Sequence, residues 1–248
     1  MWLIYLPVQL TLVPPLHGQN IDLDAFIDNS IIEDITNLNE SINSGLNSSV
    51  IQRIHSSNPL QINFAINKAF VSVPSEQRTG PLAKTTGFHI PFAQIEIGLP
   101  WRINLIGRGM SFEMGEQVKE TAILWGIGFR YSMLDEIPDA KAGVVAVYEE
   151  LDLIDDFDLQ TFLIQAYLGY TLSNFNLYIA SGITRSSLDI HILEPDTDQY
   201  LYRDFNISTL LKLVTGAQYQ ITRRLALTGN IVFGEYRSIG IGANVTLF

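Results

Sequence analysis

Residues 123–133 read I-L-W-G-I-G-F-R-Y-S-M, and in them Ile123, Trp125, Ile127, Phe129, Tyr131 and Met133 alternate with Gly126, Gly128 and Arg130. Side chains on a strand alternate from face to face, so this segment is a long strand with one apolar face and one small or polar face. Residues 237–248 repeat the pattern: Ile239, Ile241, Ala243, Val245 and Leu247 lie opposite Ser238, Gly240, Gly242, Asn244 and Thr246. A sheet built this way separates two different environments. Strands of this length and regularity are uncommon in soluble sandwiches, whose strands are shorter.

The same alternation runs through most of the chain. Ile62, Phe64 and Ile66 alternate with Gln61, Asn63 and Asn67, and Ala93, Ile95 and Ile97 with Gln94 and Glu96. Phe162, Ile164, Ala166, Leu168, Tyr170 and Leu172 oppose Gln165, Gly169 and Thr171. Leu211, Leu213, Ala217 and Tyr219 oppose Lys212, Gly216 and Gln218, while Leu225, Leu227, Ile231 and Phe233 oppose Thr228, Asn230 and Gly234. With less regular stretches at 141–150 and 175–184 this gives about ten strands (about 8–12) of about ten residues, the length that crosses a bilayer when tilted. Mean hydropathy is +0.17. Past the N-terminal segment no apolar run approaches the roughly 18 residues of a membrane helix, so any crossing is made by strands.

The connections test this independently. Counted back from the C-terminus they fall at residues 234–238, 222–223, 185–206, 173–174, 151–158, 134–140, 115–118, 98–100 and 74–87. The tight links at 173–174 and 222–223 belong to one alternate set, and the longest, 185–206 and 74–87, to the other. Membrane barrels show this asymmetry, with short turns on one side and long loops on the other. The expected fold is therefore all-β, an antiparallel up-and-down transmembrane β-barrel.

Residues 1–18 form an apolar run closed by Pro14, Pro15 and Gly18, as in a secretory signal peptide, although Lys and Arg are absent from its start. From residue 19 to 58 the period changes: Leu23, Ile27, Ile31, Ile35, Leu38, Ile42 and Leu46 recur at spacings of four and three, the stripe of an amphipathic helix. Asn37, Asn39, Asn43, Ser44, Gly45, Asn47, Ser48 and Ser49 weaken helix propensity, which predicts two short helices. This segment packs against something: the lumen as a plug, the periplasmic rim or a partner helix. The expected organisation is residues 1–18 signal peptide, 19–58 helical segment and 59–248 barrel.

A net charge of −11 argues against a nucleic-acid partner, because phosphate binding needs clustered Lys and Arg. The chain has no cysteine, which removes disulfides, thiolate metal sites and cysteine nucleophiles. With its signal segment, even hairpin series and aromatic C-terminus, the sequence over residues 60–248 resembles the outer-membrane β-barrel proteins of Gram-negative bacteria. The resemblance implies outer-membrane localisation, outer-membrane lipid as surroundings and the barrel-assembly machinery as a partner, with Phe248 as the assembly signal. Phe248 is out of phase with Val245 and Leu247, a phase that a bulge would restore. In such a barrel Trp125, Ile127, Phe129, Phe162, Ile164, Leu168, Leu211, Leu213, Ile231 and Phe233 face lipid, and Arg130 and Lys212 fall on the polar side. A lipocalin-like soluble ligand-binding barrel, with the apolar face inside, is the alternative that alternation alone leaves open.

Candidate chemistry is sparse. Asp189 and His191 are two apart and share a strand face, where a His beside a carboxylate is a candidate general base. Outer-membrane hydrolases of the omptin type use such an Asp-x-His element with a further aspartate pair, which the resemblance would place at Asp156 and Asp158. Acidic runs at 152–158 and 194–198 lack EF-hand spacing, and His17, His55 and His89 are isolated in sequence, so no metal or cofactor is expected. The expected function is a non-enzymatic outer-membrane barrel, structural or binding and passing small apolar ligands. The omptin-like hydrolase and the lipocalin-like barrel are its alternatives.

Overall fold

The computed structural model describes residues 21, 32–114, 120–134, 137, 139–153, 157–194 and 199–247; of residues 32, 33, 114, 120, 157, 190–194 and 199–210 only the backbone is described. The signal segment and Phe248 lie outside the described residues.

One helix, α1 (Ile32–Leu46), precedes ten strands: β1 (Ile62–Ser72), β2 (Gly87–Gly98), β3 (Ile103–Met114), β4 (Glu120–Ser132), β5 (Ala140–Leu153), β6 (Phe157–Leu172), β7 (Phe175–Glu194), β8 (Gln199–Gln220), β9 (Leu225–Phe233) and β10 (Arg237–Thr246). Each strand pairs antiparallel with its neighbour in sequence, and β1 pairs with β10 from Asn63↔Thr246 to Ser72↔Arg237, so the sheet closes on itself. Closure removes both sheet edges, which a spanning sheet requires because hydrocarbon offers unpaired backbone groups no partner.

Alternation decides the two surfaces. Trp125, Ile127, Phe129, Phe162, Ile164, Leu168, Leu211, Leu213, Ile231 and Phe233 are all exposed on the outside, from 38% at Ile231 to 76% at Leu211. Arg130 and Lys212 point inward and are buried. The apolar face is the outer one, the reverse of a soluble lipocalin cup.

One expectation needs correction. The long link at 185–206 is mostly strand, because β7 and β8 stay in register from Phe175↔Tyr219 to Glu194↔Gln199 with one irregularity between Thr184 and Ser186. At 20 and 22 residues these strands exceed the roughly ten needed for a crossing, so their hairpin extends beyond the rim. Its polar residues resemble a loop in composition, yet cross-strand pairing carries the ladder through them. In the N-terminal segment the described helix is α1, while residues 22–31, which carry the first part of the stripe, lie outside the described residues. After Leu46 the chain closes two last turn bonds, Asn47 N–H to Asn43 O and Ser48 N–H to Gly45 O. Ser49 then takes a left-handed φ of 56° and the helix stops.

Candidate functional site

The lumen is where the polar faces of ten strands meet, and the N-terminal segment fills it. Ile35, Leu38, Ile42 and Leu46 are no more than 2% exposed, but so are Asn39, Ser41, Asn43, Ser44, Asn47, Ser48 and Ser49 from the other sides of the chain. A surface helix would wet its polar face. From Ser41 onward this one is enclosed on all sides, while Asp34, Thr36, Asn37 and Glu40 nearer its start are half-buried.

The apolar stripe packs against Leu82, Val71, Phe88, Ile90 and Phe92 near the rim that carries the 73–86 connection, in a cluster that also holds Ile21, Leu124, Leu151, Leu159, Leu188 and Tyr236. Most of the polar side is hydrogen-bonded to the wall, although Asn47 Oδ1 and Ser48 Oγ are buried without a partner. Asn39 and Asn43 both donate through Nδ2 to Ser186 Oγ at 3.0 Å, Thr161 donates to Asn43 Oδ1 at 2.8 Å, and Asn47 donates to Thr184 Oγ1 at 3.0 Å. On the opposite wall Ser44 donates to the Tyr236 carbonyl and Ser238 to the Ser44 carbonyl, at 3.0 and 2.7 Å.

Below the helix the segment descends as irregular chain. Asn230 donates to Ser49 Oγ at 2.8 Å, Gln52 donates to Asn67 Oδ1 at 3.0 Å, and Thr228 donates to Gln52 Oε1 at 3.3 Å. Arg53 bonds Asn63 and, at 3.2 Å, Thr246. His55 Nε2 lies 3.2 Å from both Asn176 Oδ1 and Thr171 Oγ1, beside the Ser173–Asn174 turn. Asn63 and Asn104 both donate to Ser57 Oγ at 2.9 Å before the chain reverses into β1. The segment thus runs through the lumen from the long-loop rim to the short-turn rim.

Two buried ion pairs grip its backbone. Arg108 pairs with Glu149, both side chains fully buried, and donates to the Leu46 carbonyl at 3.0 Å and the Ser48 carbonyl at 3.4 Å. Helix α1 has no basic residue in its last turn. The barrel supplies the cation its C-terminal carbonyls lack. Lower down, Arg130 pairs with Glu96 at 2.9 Å and donates to the His55 carbonyl at 3.1 Å. Glu96 also accepts from Gln94 and Asn104, so the pair is embedded in hydrogen bonds. At the long-loop rim, burial and the Glu235 carboxylate beside it hold the Glu40 carboxyl above its ordinary range.

Glycines make the room. A Cβ at Gly169 would lie 2.8 Å from Ile54 Cδ1, and one at Gly240 would overlap Ser49 Oγ. Alternation placed Arg130 and Glu96 on the polar face but did not single out Arg108 and Glu149. The available signal was an Arg or Glu at inward phase on adjacent strands.

The acid–base candidates sit elsewhere. Asp189 on β7 is in register with Asp158 on β6, both on outward-phase rows beside inward Leu188 and Leu159. Backbone pairing sets His191 opposite Tyr202. The side chain of His191, and Asp156 altogether, lie outside the described residues. Among the described residues no group of three or more His, Cys, Asp or Glu could hold a metal ion.

A family model described as a family of unknown function, DUF6588, matches residues 79–247. No curated protein matches the sequence. Among solved structures the chain is similar to the translocator domain of the autotransporter NalP from Neisseria meningitidis, at 10% identity and a TM-score of 0.47, covering 88% of this chain and 100% of that one. It is also similar to the outer membrane protease OmpT from Escherichia coli, at 12% identity and 0.45, covering 79% and 100%. The Neisserial surface protein A is similar at 11% identity and 0.36, covering 75% and 97%.

Proposed function

The chain belongs to the DUF6588 family and is an outer-membrane β-barrel, and from that premise we propose that it works as a stoppered barrel without enzymatic activity that binds and passes small apolar ligands. The observation that carries this reading is the lumen itself. Its lower part is crossed by the bonds of Ser49, Gln52, Arg53, His55 and Ser57 to seven different strands, which supports a lumen stoppered against an aqueous channel. Its upper part is apolar, with Phe88, Ile90, Phe92, Leu124 and Leu151 packed in one cluster with the α1 stripe, so an apolar ligand takes this surface by displacing the helix.

Three measurements test the reading. Full chain refolded into planar bilayers is expected to stay at baseline conductance, and a steady open current would overturn the stoppered state. Equilibrium titration with a fluorescent fatty acid is expected to saturate, and flat titration would remove the ligand. Incubation with peptide and lipid substrates is expected to give no turnover; turnover abolished by His191→Ala would establish the hydrolase instead.

A further inference from the structure

The outward rows of the wall are largely apolar and turn polar toward the long-loop rim, so the first outward charge on each strand shows what that rim offers the bilayer. On β3, β5 and β6 that charge is Glu113, Glu150 and Asp158. Three neighbouring strands differ. The apolar row ends at Ile239 before Arg237 on β10, at Ile66 before Lys68 on β1 and at Pro91 before His89 on β2. In a chain of net charge −11, basic residues thus gather on one sector of the outer wall.

Phe70 is the centre of this sector. Register sets it between Ile239 and His89, with Arg237 opposite Ser72 nearer the rim. The Lys68 ammonium lies 5.4 Å from the Phe70 ring centroid, and the His89 ring 6.4 Å from it. Phe70 is two residues nearer the rim than Lys68, so the Lys68 side chain climbs the wall, its stem on apolar surface and its head toward polar surroundings. Lys68, Phe70 and His89 are partly exposed, and Arg237 is exposed. Lys68 and Arg237 have no carboxylate partner among the described residues. Glu235, two residues before Arg237, is engaged by Gln77 and Glu40, and Glu113 stands on β3, beyond His89 and two strands from Lys68.

We propose that this sector binds the phosphate of an anionic lipid headgroup in the leaflet on the long-loop side, with an acyl chain of the same lipid lying below it along Ile66, Ile239 and Ile241. A lipid is the occupant because the sector is continuous with the lipid-facing wall: the cations border an apolar band that acyl chains cover. Phosphate is the group bound because Lys68 offers a compact charge and Arg237 a planar fork of donors, the two cation geometries that suit phosphate oxygens. An acidic peptide or a nucleic acid would approach over the rim, whereas the Lys68 ammonium lies on the wall itself, at the level of Phe70. The site is on the outside of the barrel and leaves the N-terminal segment in place, so it stands apart from the apolar-ligand reading of the lumen.

The test uses the full chain refolded in detergent and titrated with phosphatidic acid or phosphatidylcholine, with bound lipid counted by native mass spectrometry. Phosphatidic acid is expected to stay bound at concentrations at which phosphatidylcholine does not. Lys68→Gln with Arg237→Gln, in chains whose gel mobility reports a folded barrel, is expected to weaken that retention about tenfold, and Arg237→Gln alone, at the end of its strand, to give part of the loss. Arg223→Gln with Arg224→Gln removes two exposed cations at the short-turn rim and is expected to leave retention unchanged. Equal retention of phosphatidylcholine, indifference to the Lys68 and Arg237 substitutions, or equal weakening by the control pair overturns the proposal. Inorganic phosphate at millimolar concentration is expected to leave the lipid bound; full displacement would identify a site for a free anion and overturn the lipid as its occupant.

Discussion

Arg108 and Glu149 face each other across β4 with no exposed side-chain surface, so each is the other's solvent. Removing one partner of such a pair leaves a buried charge uncompensated, whereas replacing both with apolar groups of similar volume is often neutral. Glu149→Leu is expected to cost about 3–5 kcal/mol in urea unfolding followed by gel mobility, and Arg108→Met with Glu149→Leu to recover much of that loss. The recovery should be incomplete, because Arg108 also holds the Leu46 and Ser48 carbonyls. A double variant no more stable than Glu149→Leu would show that those carbonyl bonds dominate. Gly240 gives a second prediction at this scale. Valine there enters the space of Ser49 and Asn230, so the segment should lose its seat while the outer wall of β10 is unchanged. The expected readout is cleavage near residue 49 by added protease, in a chain that keeps its barrel mobility on gels.

The N-terminal segment is a helix whose environment differs from the one its pattern announces. Its stripe of Ile35, Leu38, Ile42 and Leu46 was legible at spacings of three and four, and so was the weakening by Asn and Ser. What the pattern could not convey is that the polar side is also buried. Asn39, Asn43 and Asn47 look like a solvated face until Ser186, Thr161 and Thr184 appear opposite them. The arrangement makes a direct prediction: Ser49→Cys with Asn230→Cys, whose native side chains are 2.8 Å apart, is expected to form a disulfide under mild oxidation. Peptide mapping would detect it, and its failure to form in folded chain would place the segment outside the lumen. β7 and β8 carry the complementary lesson. A polar stretch read as a loop is strand because two long neighbours pair through it.

For the whole molecule, the apolar exterior and the filled interior act together. Deleting residues 19–58 would leave Arg108, Arg130, Glu96 and Glu149 lining an emptied lumen, where water must enter to solvate them. The expected outcome is lower resistance to urea and the appearance of ion conductance in planar bilayers. A deleted barrel of native stability and zero conductance would mean that the wall collapses to seal itself. Much of this architecture follows from alternation alone: the number of strands, their antiparallel order and the rows that contain Trp125, Phe162 and Leu211. Period two fixes which residues share a face, because a strand has only two faces. It does not fix which face is inside, since a soluble barrel and a membrane barrel share the same alternation. Closure between β1 and β10 decided that, together with the seating of the N-terminal segment against Asn67, Thr228 and Asn244. The pairing of Arg108 with Glu149 was likewise settled only in three dimensions. Local sequence sets the direction of each side chain, but contacts between residues far apart in the chain exist only once the sheet has closed around the segment that fills it.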